Sequence, residues 1–294
     1  MVQNRSFEFT KLASDNEKHA WNNVGDVTAN VVKDDKTGCL NVNNPNYMVI
    51  ENKSDEEAGI ANKGFLDGMS IKKNAGYDFS IYAKGIDGYT GSLNVKIMNG
   101  KEVAGSGTIE KVTSDWKKYE LKLDSNVTSN RNVKLQVTIP KGKIAVDMVS
   151  LFPQDTYKGR KNGLRKDLAQ KLEELHPGFL RFPGGCVVEG ATIETRYNWK
   201  DSIGADASGQ PFEFNGTYGD VAARKQGQNI WTDEWATNDQ NPSFMTYGLG
   251  FYEYFQLAED IGAIGVPVIN CGKCCMGQSN GNGPALDSAE FKQY

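Results

Sequence analysis

Between Tyr77 and Ile139 the apolar residues fall at every second position, and from Leu164 onward they fall at every third or fourth. Tyr77, Phe79, Ile81 and Ala83 alternate with polar neighbours, as do Leu93, Val95 and Ile97, then Tyr119, Leu121 and Leu123, then Val133, Leu135, Val137 and Ile139. A period of two sends one face of a strand into a core and the other into water. Turn-forming residues punctuate the runs at Asn74-Ala75-Gly76, Asp87-Gly88, Asn99-Gly100 and Asp124-Ser125-Asn126. Short alternating strands with such turns predict an antiparallel β-sandwich over residues 10–152.

The second half reads differently. Leu164, Leu168, Leu172 and Leu175 share one face of a helix, with Asn162-Gly163 to start it and Pro177-Gly178 to stop it. Phe179-Leu180-Arg181-Phe182 is a short apolar strand, broken at once by Pro183-Gly184-Gly185. A second helix runs through Phe251, Tyr254, Phe255, Ala258 and Ile261 and ends at Gly262; a second strand, Val266 to Asn270, follows. Helix, strand, long loop, helix, strand is the rhythm of a parallel α/β barrel. A complete (β/α)8 barrel needs about 250 residues. Residues 153–294 carry only two full strands, so the expectation is an incomplete TIM barrel, with Ser288–Tyr294 opening a further helix.

Composition narrows the function classes. The 294 residues are 38% hydrophobic and 24% charged with a net charge of −4, room for two domains and no basic stripe for nucleic acid. The patch Lys158-Gly159-Arg160-Lys161 is short, and no run of eighteen apolar residues predicts a membrane helix. MVQNRSFEF has neither the basic flank nor the apolar stretch of a signal peptide, and the compartment stays open between cytoplasmic and secreted. No Walker or dinucleotide glycine pattern occurs, so no cofactor is expected. The five cysteines (Cys39, Cys186, Cys271, Cys274 and Cys275) lack the spacing of a disulfide scaffold. Cys271-Gly272-Lys273-Cys274 has the first half of a zinc spacing but no second ligand pair, and His19 and His176 are the only histidines, so no metal is expected.

The stretch richest in chemistry is Leu175–Gly204, LHPGFLRFPGGCVVEGATIETRYNWKDSIG. A proline and two glycines at a strand's carboxyl end let the backbone turn sharply and approach a ligand, and parallel α/β folds place their chemistry at such ends. Cys186, Glu189, Glu194, Arg196, Tyr197, Trp199, Lys200 and Asp201 crowd the segment beyond. On pattern alone it is either a functional loop or a tight turn with a solvated polar tail.

RFPGGC followed by VEG and then RYNWKDSIG resembles the motif after the second barrel strand of glycoside hydrolase family 51, most of whose members are α-L-arabinofuranosidases. VQNRSFEF, GLGFYEYFQLAEDIGA and VPVINCG resemble further stretches of that family, so the likeness covers residues 1–9 and about 150–272. It departs after Gly204, where a long polar insertion runs from Ala205 to about Tyr247. The resemblance implies that residues 1–9 trail a first barrel unit, that the chain begins inside its parent protein, and that the sandwich is inserted into the barrel. Gly64-Phe65, Tyr77 to Ala83, Trp116 to Tyr119 and Val146 to Pro153 resemble a jelly-roll carbohydrate-binding module. Trp21, Tyr47, Tyr82, Tyr89 and Trp116 then serve either as stacking platforms for sugar or as core and rim aromatics.

For function, the resemblance implies removal of terminal non-reducing α-L-arabinofuranosyl residues from arabinan, arabinoxylan or their oligosaccharides. Retaining glycosidases use two carboxyl groups about 5–5.5 Å apart. In this family they are glutamates at the ends of the fourth and seventh barrel strands, positions expected beyond Tyr294, so no catalytic residue is assigned here. Glu189 and Glu194 share one loop and do not suit opposed roles. By position in the motif, Arg181 holds the strand end or sits in a structural ion pair, Cys186 lines the arabinofuranose subsite, and Trp199 is its apolar wall or plain packing. Asn270, ending the next strand, is a polar contact. The rival reading is a non-catalytic carbohydrate-binding protein acting through the sandwich.

Overall fold

A computed structural model describes residues 1–9, 18–34, 38–65, 68–190, 196–203, 224 and 247–271, and the backbone of 228–231 and 243–245. The described residues divide into two compact units, one from Met1 to Asn162 and one from Gly163 onward.

Eleven strands build the first unit. In chain order they are β1 (Trp21–Val24), β2 (Thr28–Lys33), β3 (Asn46–Asn52), β4 (Ala58–Asn62), β5 (Met69–Ile71), β6 (Gly76–Ile86), β7 (Leu93–Asn99), β8 (Glu102–Ile109), β9 (Lys117–Asp124), β10 (Ser129–Ile139) and β11 (Gly142–Pro153). One sheet runs β1-β4-β10-β7-β8 with β5 also on β10; the other runs β2-β3-β11-β6-β9. Every pairing in both is antiparallel. The alternating residues read from sequence meet in one core: Leu93, Val95, Ile97, Val133, Leu135 and Val137 from the first sheet face Tyr77, Phe79, Ile81 and Leu123 from the second. Burial of that apolar area is what holds the sheets together. The compact unit continues past the boundary expected at 152: the Gln154 amide donates to Asp78 at 2.7 Å, and Lys161 pairs with Glu120 at 2.9 Å.

The central strand β11 cannot be read by strict alternation. Ile144 and Val146 point inward, and so do Val149 and Leu151, which are of opposite parity. The register explains it: Asp147 faces Tyr82 and Ser150 faces Ser80, so two residues of β11 stand against one of β6. That extra residue is a β-bulge, with Met148 at a φ of 48°. A bulge leaves a backbone N–H without a ladder partner, and here the Val149 N–H donates to the Arg5 carbonyl at 2.9 Å.

Residues 1–9, read as trailing a barrel unit, pack within this first unit. Asn4 is the hub: its Oδ1 accepts from the Phe9 N–H, its amide donates to the His19 carbonyl, and its own carbonyl accepts from Trp21 Nε1 at 3.0 Å. Phe7 is fully buried against the Trp21 ring, centroids 5.3 Å apart. Gln3 and Asn62 exchange two hydrogen bonds. Two carboxyl groups lie with the segment, Glu8 half-buried and Asp147 fully buried. Glu8 accepts from the Asn46 N–H and side-chain amide at 2.9 and 2.7 Å, and Asp147 accepts from the Met148 N–H at 2.6 Å. Burial pushes Glu8 up to about 7, against the pull of Asn46 and Lys33. Burial also raises Asp147 well above the usual carboxylate range; Met148 and Arg5 oppose the rise and Glu8 adds to it.

The second unit contains α1 (Lys166–Glu174), β12 (Phe179–Phe182), α2 (Cys186–Glu189), β13 (Gln228–Trp231), β14 (Ser243–Met245), α3 (Phe251–Asp260) and β15 (Ile264–Pro267). β12 and β15 pair in parallel, Phe179 opposite Ile264 through Phe182 opposite Pro267; β13 and β14 form an antiparallel hairpin. A parallel pair needs a crossover, and α3 lies in it. Phe182 meets Phe251, Tyr254 and Phe255 of α3 at ring distances of 5.5, 4.9 and 5.0 Å. A side chain at Gly265 would press into the Phe255 ring, so glycine lets the helix lie close to the strand. The leucine stripe of α1 is exposed, at 56, 41 and 73% for Leu168, Leu172 and Leu175. The most buried residue of α1 is Ala169.

Because folding raises Glu8 from 4.5 to about 7, the folded state holds a proton that the unfolded state releases in that window. Stability is therefore fully present below about 4.5 and falls as pH rises through about 7. Urea unfolding of the chain across this range should show that decline, and Glu8→Gln should flatten it. An equal slope in the variant would disprove the assignment to Glu8.

Candidate functional site

The chemistry-rich segment stands where sequence placed it, at the carboxyl end of β12. Phe182 closes the strand, Gly184 turns at a φ of 131°, and α2 begins at Cys186. Open space surrounds Gly184 and Gly185, where an added Cβ meets no atom within 4 Å. The Cys186 thiol is exposed. Arg181 is exposed as well, on the strand face opposite that of Phe182, which packs on α3. Glu189 ends α2 half-buried.

One carbonyl joins three of the expected elements. Val188 O accepts from the Asn270 amide at 2.9 Å and from the Tyr197 N–H at 3.2 Å. A carbonyl has two lone pairs, so both bonds are satisfied at once. The next strand end thus meets α2, and the turn bearing Trp199 meets it at the same atom. Asn270 is 1% exposed, its amide committed to this junction. Trp199 is partly buried, its ring stacked on Phe251 at 5.8 Å and 24°.

Sequence reasoning missed what lies behind Trp199. Ser202 is fully buried; its hydroxyl donates to the Trp199 carbonyl at 2.6 Å and accepts from the Phe251 N–H at 3.1 Å. Glu253, at the third position of α3, accepts from the Gly250 N–H at 2.8 Å and pairs with Arg224 at 2.9 Å. Arg224 and Glu253 are 1 and 0% exposed in their side chains, and Arg224 also donates to the Tyr247 carbonyl at 3.1 Å. The signal available was Gly250 with a glutamate three residues on, the spacing of a helix-entry capping pair. Nothing in the sequence points from Arg224 to Glu253. Tyr197 sits on the same cluster, against Tyr247 and Phe251, and its burial pushes the phenol up.

The remaining candidates are dispersed. Trp21 is a core residue. Tyr47 and Trp116 meet edge to face at 5.7 Å, Lys84 lies 4.9 Å over the Trp116 ring, and both Lys84 and Trp116 Nε1 donate to the Gly38 carbonyl. Tyr89 donates to the Ser92 carbonyl and packs beside Gly142, and Tyr82 is half-buried. Trp21, Tyr47, Tyr89 and Trp116 are thus engaged by the sandwich itself. The His19 carbonyl serves Asn4, and His176 follows α1 at a φ of 48°. Cys271 is exposed, and among the described residues no group of three metal-ligating side chains converges. Glu194, Cys274 and Cys275 lie outside the described residues.

Comparison with known proteins finds relatives for this chain. The sequence profile of the α-L-arabinofuranosidase 1 domain matches residues 171–294. The solved structure of an arabinose-bound GH51 α-L-arabinofuranosidase superposes with a TM-score of 0.80 and 25% identity, over 100% of this chain and 43% of that one. Over part of their length, this chain is similar to the family 51 α-L-arabinofuranosidases. An extracellular exo-α-L-arabinofuranosidase of Streptomyces chartreusis is 37% identical over 92% of this chain and 30% of its own length. α-L-Arabinofuranosidase 2 of Arabidopsis thaliana is 34% identical over 92% of this chain and 38% of its own. The chain thus spans about a third of the length of these curated relatives. The arabinofuranosidase 1 profile takes in β12, α2, the Trp199 turn and α3, but not the sandwich.

An added methyl at Gly250 would strike the Ser202 carbonyl, a backbone atom that cannot step aside. Gly250→Ala should cost about 1–3 kcal/mol in urea unfolding of the second unit. Gly178→Ala, where nothing lies within 4 Å, should not. Equal effects would show that the close approach carries no energy.

Proposed function

We propose that this chain serves the hydrolysis of terminal non-reducing α-L-arabinofuranosyl residues on arabinan, arabinoxylan or their oligosaccharides, by a retaining mechanism with two glutamates. The observation that carries the reading is the RFPGGC…RYNWKDSIG segment at the carboxyl end of a parallel strand, within a region matched by the family profile. β12, α3 and β15 are read as units of a (β/α)8 barrel, and the sandwich as a module-like insertion ahead of them. Arg181 and Cys186, both exposed at this strand end, are the sugar-facing groups; Trp199 is the apolar wall, and Asn270, three residues past β15, is tied to α2.

The catalytic pair is assigned outside these 294 residues. Glu253 is committed to Arg224 and Gly250, and Asp201, which shares the segment with Glu189, accepts from the Asn198 amide at 3.3 Å. Without a carboxyl pair neither leaving-group protonation nor a covalent intermediate is available. The rival reading, sugar binding through the sandwich, is weakened by the engagement of Trp21, Tyr47, Tyr89 and Trp116 in the fold.

The purified chain should leave a chromogenic α-L-arabinofuranoside unhydrolysed. Turnover that survives repurification and vanishes with Glu189→Gln or Glu194→Gln would overturn the assignment of the pair. In an enzyme of the relatives' full length, Cys186→Leu should raise KM or abolish turnover at nearly unchanged Tm. Trp199→Ala should weaken sugar binding by about 1–3 kcal/mol, the range for stacking on aromatic rings. Large stability losses with intact kcat/KM would mean that both side chains only pack.

A further inference from the structure

The Arg224–Glu253 pair belongs to neither the sugar-facing set nor the apolar core. Burying two charges costs desolvation that an ion pair seldom fully recovers, so such a pair is weak support for stability. Its recurrent use is to fix one arrangement among several that apolar packing would tolerate. Following its bonds outward shows which arrangement is fixed. Arg224 lies within the long polar insertion and reaches Glu253 at 2.9 Å and the Tyr247 carbonyl at 3.1 Å. Glu253 holds the Gly250 N–H at 2.8 Å. The Gly250 backbone abuts the Ser202 carbonyl so closely that no side chain fits between them. Ser202 ties the start of α3 to the Trp199 carbonyl through the two bonds of its hydroxyl, at 3.1 and 2.6 Å. The Trp199 ring then lies flat on Phe251, the first residue of α3.

We propose that Arg224 and Glu253 are positioning residues for Trp199: their ion pair sets the entry of α3 against the Ser202 turn and thereby fixes the plane of the subsite wall. The inference rests on the reading of Trp199 as that wall. Phe182, Tyr197, Tyr247 and Phe251 give Trp199 an apolar surface to lean on but no direction, since stacked rings slide at little cost. Direction comes from the ion pair between Arg224 and Glu253 and the hydrogen bonds that continue from it through Gly250 and Ser202, starting in the insertion, where the likeness to the family departs.

The test labels the 294-residue chain with 5-fluorotryptophan and follows fluorine resonances, with Trp199→Phe identifying the Trp199 line. Arg224→Met and Glu253→Gln should each remove the Trp199 line from its wild-type position while leaving Trp21 and Trp116 in place. Arg224→Lys keeps the charge but loses the planar fork, and should bring the line only part of the way back. An unmoved Trp199 line in both Arg224→Met and Glu253→Gln, with or without a lower Tm, would overturn the proposal. Should Arg224→Met fail to fold, Arg224→Lys decides alone: a wild-type Trp199 line in that folded variant overturns it, and a displaced line supports it. Titration of the wild-type chain with L-arabinose reads the wall separately. A Trp199 line that moves in Arg224→Met but never with sugar would keep the positioning pair and sink the subsite. A line that moves with sugar but not in the variants would do the reverse.

Discussion

The bulge in β11 is the constraint on which the first unit depends. A central strand must keep its apolar residues inward along its whole length, and β11 does so only by inserting one residue after Asp147. The insertion frees the Val149 N–H, which is too costly to bury alone, and the Arg5 carbonyl satisfies it. A defect in a ladder thereby becomes a docking point for residues 1–9. Phe7 then adds its ring to the core between the sheets, and Glu8 and Asp147 are carried out of water with the segment. The amino-terminal segment is thus tied to both sheets, to Asn62 in one and to Asn46 and the bulge in the other.

The second unit solves a different problem with similar means. Its aromatic cluster around Phe251 is apolar and adaptable, and polar relays give it direction. Val188 O gathers α2, Asn270 and the Tyr197 turn; Ser202 gathers Trp199 and α3; Glu253 gathers Gly250 and Arg224. Each joint is a buried group that holds two other parts of the unit together. Arg181 and Cys186 are exposed at the same strand end.

Much of this was legible from the sequence. The strands built on Tyr77, Leu93, Tyr119 and Val133 lie where the period of two put them, because each has one face in the core and one in water. β12 begins and ends as read, and α3 stops just before Gly262. β15 starts two residues earlier than its apolar run suggested, at Ile264, because register with Phe179 sets its limits rather than hydropathy. β4 escaped notice because all five of its residues are buried and nothing alternates. β8, with Gly105 and Gly107 in its middle, carried too little apolar signal. The Leu168 and Leu172 stripe was read correctly as helical, yet it faces solvent in this chain. In the site, the motif located Arg181, Cys186 and Trp199 on the elements that present them. It was silent on Arg224, since an ion pair between a polar insertion and a helix leaves no trace in spacing.

The junction at Val188 differs in kind from the other joints. Its acceptor is a main-chain oxygen, present whatever side chain position 188 bears, so exchange of that side chain does not remove it. The residues around that atom can therefore vary while the geometry they are mounted on persists. Cys186, two positions away and exposed, is a place where the side chain can change without removing the carbonyl that holds α2 to Asn270 and to the Tyr197 turn. Side chains at this strand end can then change at low structural risk, as long as the amide at position 270 and the backbone N–H at 197 keep reaching for the same atom.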